Sequence, residues 1–466
     1  MRAKLTAALM VLGTAGLWSA AQSGCAGSGT TPAPVVSSSS GAFGVVTVNG
    51  KQLMFLPLKE LTDGGDGQIA VVDVGLPGTG KDGGTPAQVT VIDMLDGGVP
   101  TATAGDATVI VAAGTETYTV WFIDPATQKI TDSIALPPNL NSTSFSTDTP
   151  VLVSGIAIDE ANHRAILSVW NGIIFVDLGS HAITGSVLAA AAENFGYDST
   201  LQYVLLPYYG CGIVDSPGNG DTDGGYATLP PCNNYVTLGD AGVVITNGLN
   251  LVDLKKTPPQ VYTFELADAG NEIPLGADPD SAAVDPATGL AMVPSERSYF
   301  YTFIDLSKAK FSSVGDAGFF TAPSVLDYNQ ASTFDTGVAI EPASHLAFTE
   351  QEYSQHVSVL DLTKINTSTT GFGPGVSADG DIPNPPSGEI WQNLGDPHGI
   401  AVTTGIQSGD PVGFVVSDPN DGSGGIWVAR VDLNKMLQLG LSQTGVPLTT
   451  DQMLPAVTFL DATRKE

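Results

Sequence analysis

One short phrase recurs along this chain and limits what it can fold into. Two apolar or nearly apolar residues, an aspartate and usually an aliphatic residue appear as Val-Val-Asp73-Val, Phe-Ile-Asp124-Pro, Phe-Val-Asp177-Leu and Leu-Val-Asp253-Leu. The phrase returns as Phe-Ile-Asp305-Leu, Val-Leu-Asp361-Leu and Arg-Val-Asp432-Leu. Successive aspartates lie 51, 53, 76, 52, 56 and 71 residues apart, four intervals near the low fifties and two lengthened by insertions. A period of about 50 residues built from short apolar runs is the signature of propeller blades. Helical solenoids would need a 3.6-residue periodicity, which these segments lack.

The stretch Ser281–Leu306 shows the unit most clearly: an apolar run, a Pro-Ala-Thr-Gly turn, a second run, a polar hinge and a third run. Inner strands are read at Gly155–Asp159, Ser281–Asp285, Gly337–Glu341 and Gly399–Val402, whose small residues suit the crowded centre where blades converge. The turns that follow are Glu160–His163, Pro286–Gly289 and Pro342–His345; Pro presets φ at the start, and Gly or a polar residue tolerates the backbone near the end. Third strands end at the repeated Asp. Outer strands are read at Gln88–Met94, Lys129–Leu136, Gln260–Leu266 and Ala456–Leu460.

The expected fold is therefore all-β, a seven-bladed β-propeller of four-stranded blades. Its blades are placed at Phe43–Met94, Thr101–Leu136, Val151–Leu188, Phe195–Leu266, Ser281–Phe320, Thr336–Trp391 and Gly399–Leu460. A short helix is expected at Asn434–Leu441. How the ring closes is left open, because the last strand could join either end blade.

With those residues in place, a resemblance emerges. Asp396–Val402, Ser281–Pro294 and Gly337–Phe348 look like the YVTN/NHL-type β-propeller repeat, whose inner strand and turn carry a Pro-x-Gly-Ile-Ala-Val-x-Pro-x-Gly pattern. Blades three, five, six and seven carry it; blades one, two and four share only the Asp marker, and the Tyr-Val-Thr-Asn ending is absent. That family includes binding scaffolds, lactonases and lyases, so the resemblance implies a fold and not an activity.

Lys plus Arg number 17 against 48 Asp plus Glu, a formal charge of −31 over 466 residues. Such an excess repels phosphate backbones and anionic headgroups, which argues against nucleic acid and against polybasic membrane docking. The N-terminus reads as an export signal over residues 1–24: Arg2 and Lys4 precede the apolar run Leu5–Trp18, too short for a membrane span. Ser23-Gly24-Cys25 resembles the lipobox of bacterial lipoproteins, with Gln22 where that motif prefers Leu. The resemblance implies lipidation of Cys25 and a cell-envelope address, at the outer membrane or cell surface. The alternative is ordinary cleavage after Ala20 or Ala21 and a secreted chain. Residues 25–42 are then a flexible tether and 43–466 one propeller domain, expected to be monomeric.

If Cys25 carries lipid, Cys211 and Cys232 remain as an even pair in an exported chain, an expected disulfide worth about 3 kcal/mol. Between them Asn219-Gly-Asp221-Thr-Asp223-Gly224 places alternating oxygens as Ca²⁺ loops do, and Asp215 could add another. Pro230 stands where an EF-hand needs its bidentate Glu, so the loop is not an EF-hand. Gly78-x-Gly80-x-x-Gly83 mimics a dinucleotide fingerprint, but Pro86–Met94 reads as a strand where a phosphate loop must open a helix.

Nucleophilic catalysis has little support: Gly-x-Ser-x-Gly, His-x-His and His-Glu-x-x-His are all missing. His163 and His345 take the place of Gly289 and read as surface turn residues. The seven marker aspartates read as structural acceptors of turn N–H groups. Asp278, Asp280, Asp335, Thr336, Asp396 and His398 stand just before the inner strands, which would gather them at one mouth of the central channel. The expected function is a binding or interaction scaffold for a protein or small molecule. A Ca²⁺-dependent, lactonase-like hydrolase or lyase using the channel acids is the alternative.

Overall fold

The computed structural model describes residues 36–37 and, with interruptions in loops, residues 43–461; the longest stretches outside the description are 1–35, 76–88, 137–152, 210–233, 265–274, 373–386 and 442–456. The expected architecture is present. Seven antiparallel sheets follow one another along the chain, each built on four strands in the order inner, second, third, outer; blades one, four and five carry added strands, on blade one Val36–Ser37 against Lys59 and Glu60.

Blade one is Gly44–Val48, Lys51–Glu60, Gln68–Asp73 and Val89–Asp93; blade two is Pro100–Gly105, Ile110–Gly114, Thr119–Asp124 and Lys129–Ala135. Blade three is Val153–Asp159, Arg164–Val169, Gly172–Asp177 and Ala182–Leu188; blade four is Gly196–Asp198, Tyr203–Tyr209, Val243–Asp253 and Gln260–Phe264. Blade five is Ala283–Asp285, Leu290–Pro294, Phe300–Asp305 and Ser324–Tyr328. Blade six is Asp335–Glu341, Leu346–Gln351, His356–Asp361 and Ser387–Ile390, and blade seven Asp396–Thr404, Pro411–Asp418, Trp427–Asp432 and Val457–Asp461. Each of the seven marker aspartates is the last residue of a third strand.

Burial explains why the central strands read as apolar runs instead of alternating ones. Ile110–Gly114 and Leu290–Pro294 are buried at every position, because each blade is sandwiched between two others and both faces are covered. Outer strands face water: Lys129–Ala135 has no buried residue and Ala182–Leu188 only one, Val187.

The described core falls into seven apolar clusters, one for every seam between neighbouring blades. The seam of blades seven and one joins Val412, Phe414, Val416 and Val428 to Phe43, Met54, Leu56 and Val72. That settles ring closure among the described residues. Each end blade keeps its own four strands, and side-chain packing closes the circle.

Blade five departs from expectation. Its predicted end at Phe320 falls inside a hairpin, Lys310–Val314 with Ala317–Thr321, that leaves the blade and pairs in parallel with the outer strand of blade four. The true outer strand is Ser324–Tyr328, paired to Phe300–Asp305. In the same manner Gly371–Phe372, from the insertion of blade six, pairs in parallel with blade five. The third strand of blade four begins early, at Val243, and pairs there with an extra strand, Asn234–Leu238.

The expected helix forms at Leu433–Leu441. Asp432 caps it by accepting the Lys435 N–H at 2.9 Å, and Leu433 and Met436 are fully buried at the seam of blades six and seven.

Candidate functional site

A propeller offers two faces, and here they differ chemically. Inner and third strands both end on one face, so every blade closes two turns there. In blades three to six the acid ending the inner strand and the marker Asp lie in one row, as in Asp159↔Arg164↔Asp177 and Asp285↔Leu290↔Asp305. These carboxylates turn back onto the chain. Asp124 accepts the N–H groups of Ala126 and Thr127, Asp177 those of Gly179 and Ser180, and Asp361 that of Thr363. Asp73 and Asp253 accept from Gly75 and Lys255. The marker is thus a turn acceptor, as its sequence position predicts, and these bonds hold Asp124 and Asp177 below the usual carboxylate range. Among the described residues, no group of three or more His, Cys, Asp or Glu side chains converges as a metal site.

The same face stitches blade to blade. Asn162 Nδ2 donates to Gln202 Oε1 at 3.1 Å across blades three and four, and Thr404 Oγ1 to Glu341 Oε1 at 3.1 Å across six and seven. Gln52 Nε2 reaches the Thr404 carbonyl at 3.0 Å, bonding blade one to blade seven. His163 and His345 hold left-handed turn positions, φ 49° and 57°, equivalent to Gly289 at 72°. A polar side chain that tolerates this backbone explains the exchange. His163 is exposed, but His345 corrects the expectation of a surface residue. It is partly buried, and its Nδ1 lies 2.7 Å from Asp285 Oδ2 of blade five.

Asp159 and Asp198 occupy this turn in adjacent blades, both buried, with opposite electrostatics. Burial pushes Asp159 up, but hydrogen bonds from Asn162, Tyr197 and Arg164 and the Arg164 charge outweigh it and hold the carboxyl below its ordinary value. For Asp198 burial prevails over the N–H bonds of Thr200 and Leu201, Asp285 adds repulsion, and the carboxyl is pushed up. Ionised Asp159 therefore stabilises the fold above the unfolded carboxylate range, and this is lost as pH falls through its lowered folded pKa. The charge on Asp198 costs stability at neutral pH, a cost relieved as pH falls through its raised folded pKa. Asp159→Asn is expected to lose about 2–3 kcal/mol at pH 7, whereas Asp198→Asn keeps or raises the urea midpoint. Equal losses in the two variants would contradict these opposite assignments.

At the opposite end the inner strands begin, which is where sequence reasoning places a binding mouth. Four of its six residues have a described backbone, and it lies at that end. Asp335 pairs with Gln351 at the start of blade six, and Asp396 with Asp418 at the start of blade seven. Thr336 and His398 fall within register shifts, between Asp335 and Gly337 and between Pro397 and Ile400. Blades two and three shift at the equivalent place. An irregular pair next to a channel re-aims side chains, which is where bulges concentrate in functional sheets. The side chains of these four residues lie outside the described residues, as do Asp278 and Asp280 altogether. Cys25, Cys211 and Cys232, and the loop residues Asp215, Asn219, Asp221 and Asp223, also lie outside the described residues.

The structure adds polar groups to this mouth that sequence reasoning missed. Glu350, 4% exposed at the end of a second strand, accepts the Gly399 N–H at 2.9 Å and so ties blade six to the first turn of blade seven's inner strand. A glutamate in a second strand that opens on Leu346, Ala347 and Phe348 was the available signal. In blade five the hydroxyls of Ser281 and Ser295 are buried, and neither has a hydrogen-bond partner among the described residues. Orphans on the turn face include the second oxygens of Asp159 and Asp198, whose first oxygens are satisfied, and the hydroxyl of Ser344; Ser281 and Ser295 differ in lying together at the mouth, where neither finds a partner among the described residues.

No family model matches the chain, and no curated protein matches it. Solved structures do. A hydrazine synthase of Kuenenia stuttgartiensis aligns at 14% identity over 73% of this chain and 98% of that one, TM-score 0.39. A chain of a mitotic checkpoint complex aligns at 10% identity over 84% and 90%, TM-score 0.48. The C-terminal WD40 domain of Sif2 aligns at 8% identity over 87% and 83%, TM-score 0.45. All three scores fall below 0.5. The seven-bladed β-propeller therefore rests on this chain's own strand pairing and its seven seam clusters.

Proposed function

We propose that this protein is an exported, lipid-anchored propeller that serves as a binding scaffold and holds its ligand at the mouth where the inner strands begin. The observation that carries the reading is the pair of buried hydroxyls at Ser281 and Ser295, which have no partner among the described residues and lie on the end where Asp335, Asp396 and His398 enter their strands. An unsatisfied buried hydroxyl costs about 1–3 kcal/mol, a cost that a ligand offering hydrogen bonds would remove. The turn face supports the reading by contrast, since its inner-strand and marker acids are engaged by their own turns or by a neighbouring blade.

The test is site-specific photo-crosslinking in intact cells of the source organism. A photoreactive residue at position 398 is expected to give a discrete crosslinked product, and one at His163 on the opposite face none. Products of equal yield from both positions would remove the mouth from consideration.

The address is tested separately. Among the described residues, no helix is long and apolar enough to cross a membrane, so membrane attachment in this reading comes through Cys25. Native mass spectrometry of protein purified from membranes should show a lipid mass that disappears in Cys25→Ser. A chelator-sensitive mass of one Ca²⁺ that disappears in Asp221→Asn would place an ion in the loop of Asp215, Asn219, Asp221 and Asp223. Unchanged membrane retention in Cys25→Ser would end the anchor proposal.

A further inference from the structure

The outer edge of blade four carries a second surface, independent of the mouth. The hairpin from blade five extends that sheet to the strand Lys310–Val314, which closes the strand order and is exposed at all five positions. Val314 and Gly315 begin the tight turn whose closing pair is Val314↔Ala317. A pair closing a two-residue loop is hydrogen-bonded, and pairs alternate from there. Lys310, Ser312 and Val314 therefore bond inward, and the N–H and C=O groups of Phe311 and Ser313 point away from the sheet. Native sheets usually blunt such an edge with charges or proline along it. Here the four residues after Lys310 carry neither, and Val314 is 73% and Phe311 38% exposed.

Charge says what would cover it. In a chain of net charge −31, three lysines gather at this surface. Phe311 packs against Tyr262 and Tyr203, with ring centroids 4.5 and 5.9 Å apart, and Lys255 Nζ lies 5.5 Å from the Tyr203 ring. Lys310 flanks Phe311, and Lys256 follows Lys255; none of these three lysines makes an ion pair among the described residues. The nearby acids Asp253 and Asp198 are buried, and at physiological salt fields are screened within about 8 Å, so a bound segment meets the exposed lysines before the acids elsewhere on the chain. A second copy of the chain would bring lysine against lysine and −31 against −31, which disfavours it.

We infer that Lys310–Val314 is a β-augmentation site for an extended, acidic segment of a partner protein. Backbone bonds to Phe311 and Ser313 supply the pairing, and Lys255, Lys256 and Lys310 select for acidic side chains. The blade edges already accept added strands from their own chain, at Thr263↔Phe319 and Val325↔Gly371.

Two labelled octapeptides test this against the full chain by fluorescence anisotropy, one alternating threonine with glutamate and one threonine with lysine. The acidic peptide is expected to bind at least tenfold more tightly, and to weaken as salt rises. Ser313→Pro removes an outward N–H where an edge strand tolerates proline, and should reduce binding at least tenfold with the thermal midpoint retained. Lys256→Glu, which leaves the strand untouched, should reduce it as well. Equal binding of the two peptides, no effect of either variant, or a dimer in sedimentation that Ser313→Pro dissolves would each overturn the proposal.

Discussion

Phe414→Ala should destabilise the protein by about 3–5 kcal/mol, the cost of deleting a large buried aromatic side chain. Phe414 is fully buried at the seam of blades seven and one, among Phe43, Met54, Leu56 and Val416. Connectivity makes this seam different from the other six. Chain connectivity helps hold blades two to six against their neighbours, but blades one and seven are joined by no linker. No strand is shared between them among the described residues, and the described hydrogen bond across the seam is Gln52 to the Thr404 carbonyl. The packing must therefore offset the entropy of closing nearly the whole chain into a loop, a cost that grows only slowly with length. Phe122→Ala, at the seam of blades two and three, deletes a side chain of the same size and burial. Both variants should lose stability in urea denaturation. In hydrogen exchange, Phe414→Ala alone should loosen blades one and seven together, ahead of global unfolding. If Phe414→Ala loses less than about 1 kcal/mol, the closure lies elsewhere.

What could be read from the sequence follows the range of the forces involved. The marker aspartates were legible because their work is local: each accepts N–H groups two or three residues ahead, so type and spacing travel together. His163 and His345 were legible as turn residues for the same reason, through a left-handed backbone. The bond from His345 to Asp285 was not, since the two lie 60 residues apart and meet only once blades five and six pack. Glu350 is the same case, meeting Gly399 across 49 residues. The outer strand of blade five was misplaced because Ala317–Thr321 and Ser324–Tyr328 both qualify as short apolar strands. Only packing against Tyr262 and Phe264 decides that the first belongs to blade four. For the mouth, sequence spacing read inner strands from Gly337 and Gly399, and the structure starts them earlier, at Asp335 and Asp396. What those side chains bind depends on their convergence, which strand spacing does not encode.

Gly248→Val tests how tightly blade four is assembled, and it carries its own spectroscopic signal. Gly248 pairs with Tyr208 on the neighbouring strand, and a Cβ at this position would stand 1.8 Å from the tyrosine ring. No relaxation of a few tenths of an ångström resolves that overlap, so the ring must leave its site. Tyr208 is 2% exposed, and burial pushes its phenol up to about 12. Displacing the ring loses the burial of an aromatic side chain and overpacks its surroundings, together about 3 kcal/mol or more. Once in water the phenol should titrate near its ordinary value of about 10. In an alkaline titration followed by tyrosinate absorbance, Gly248→Val should therefore gain one phenol ionising near pH 10 that the parent protein lacks. Tyr208→Phe, which keeps the ring and removes the phenol, identifies the residue: combined with Gly248→Val it should abolish the gained step and leave the loss of stability in place. A Gly248→Val protein with the parental titration and the parental urea midpoint would show that the two strands do not meet at Tyr208 and Gly248.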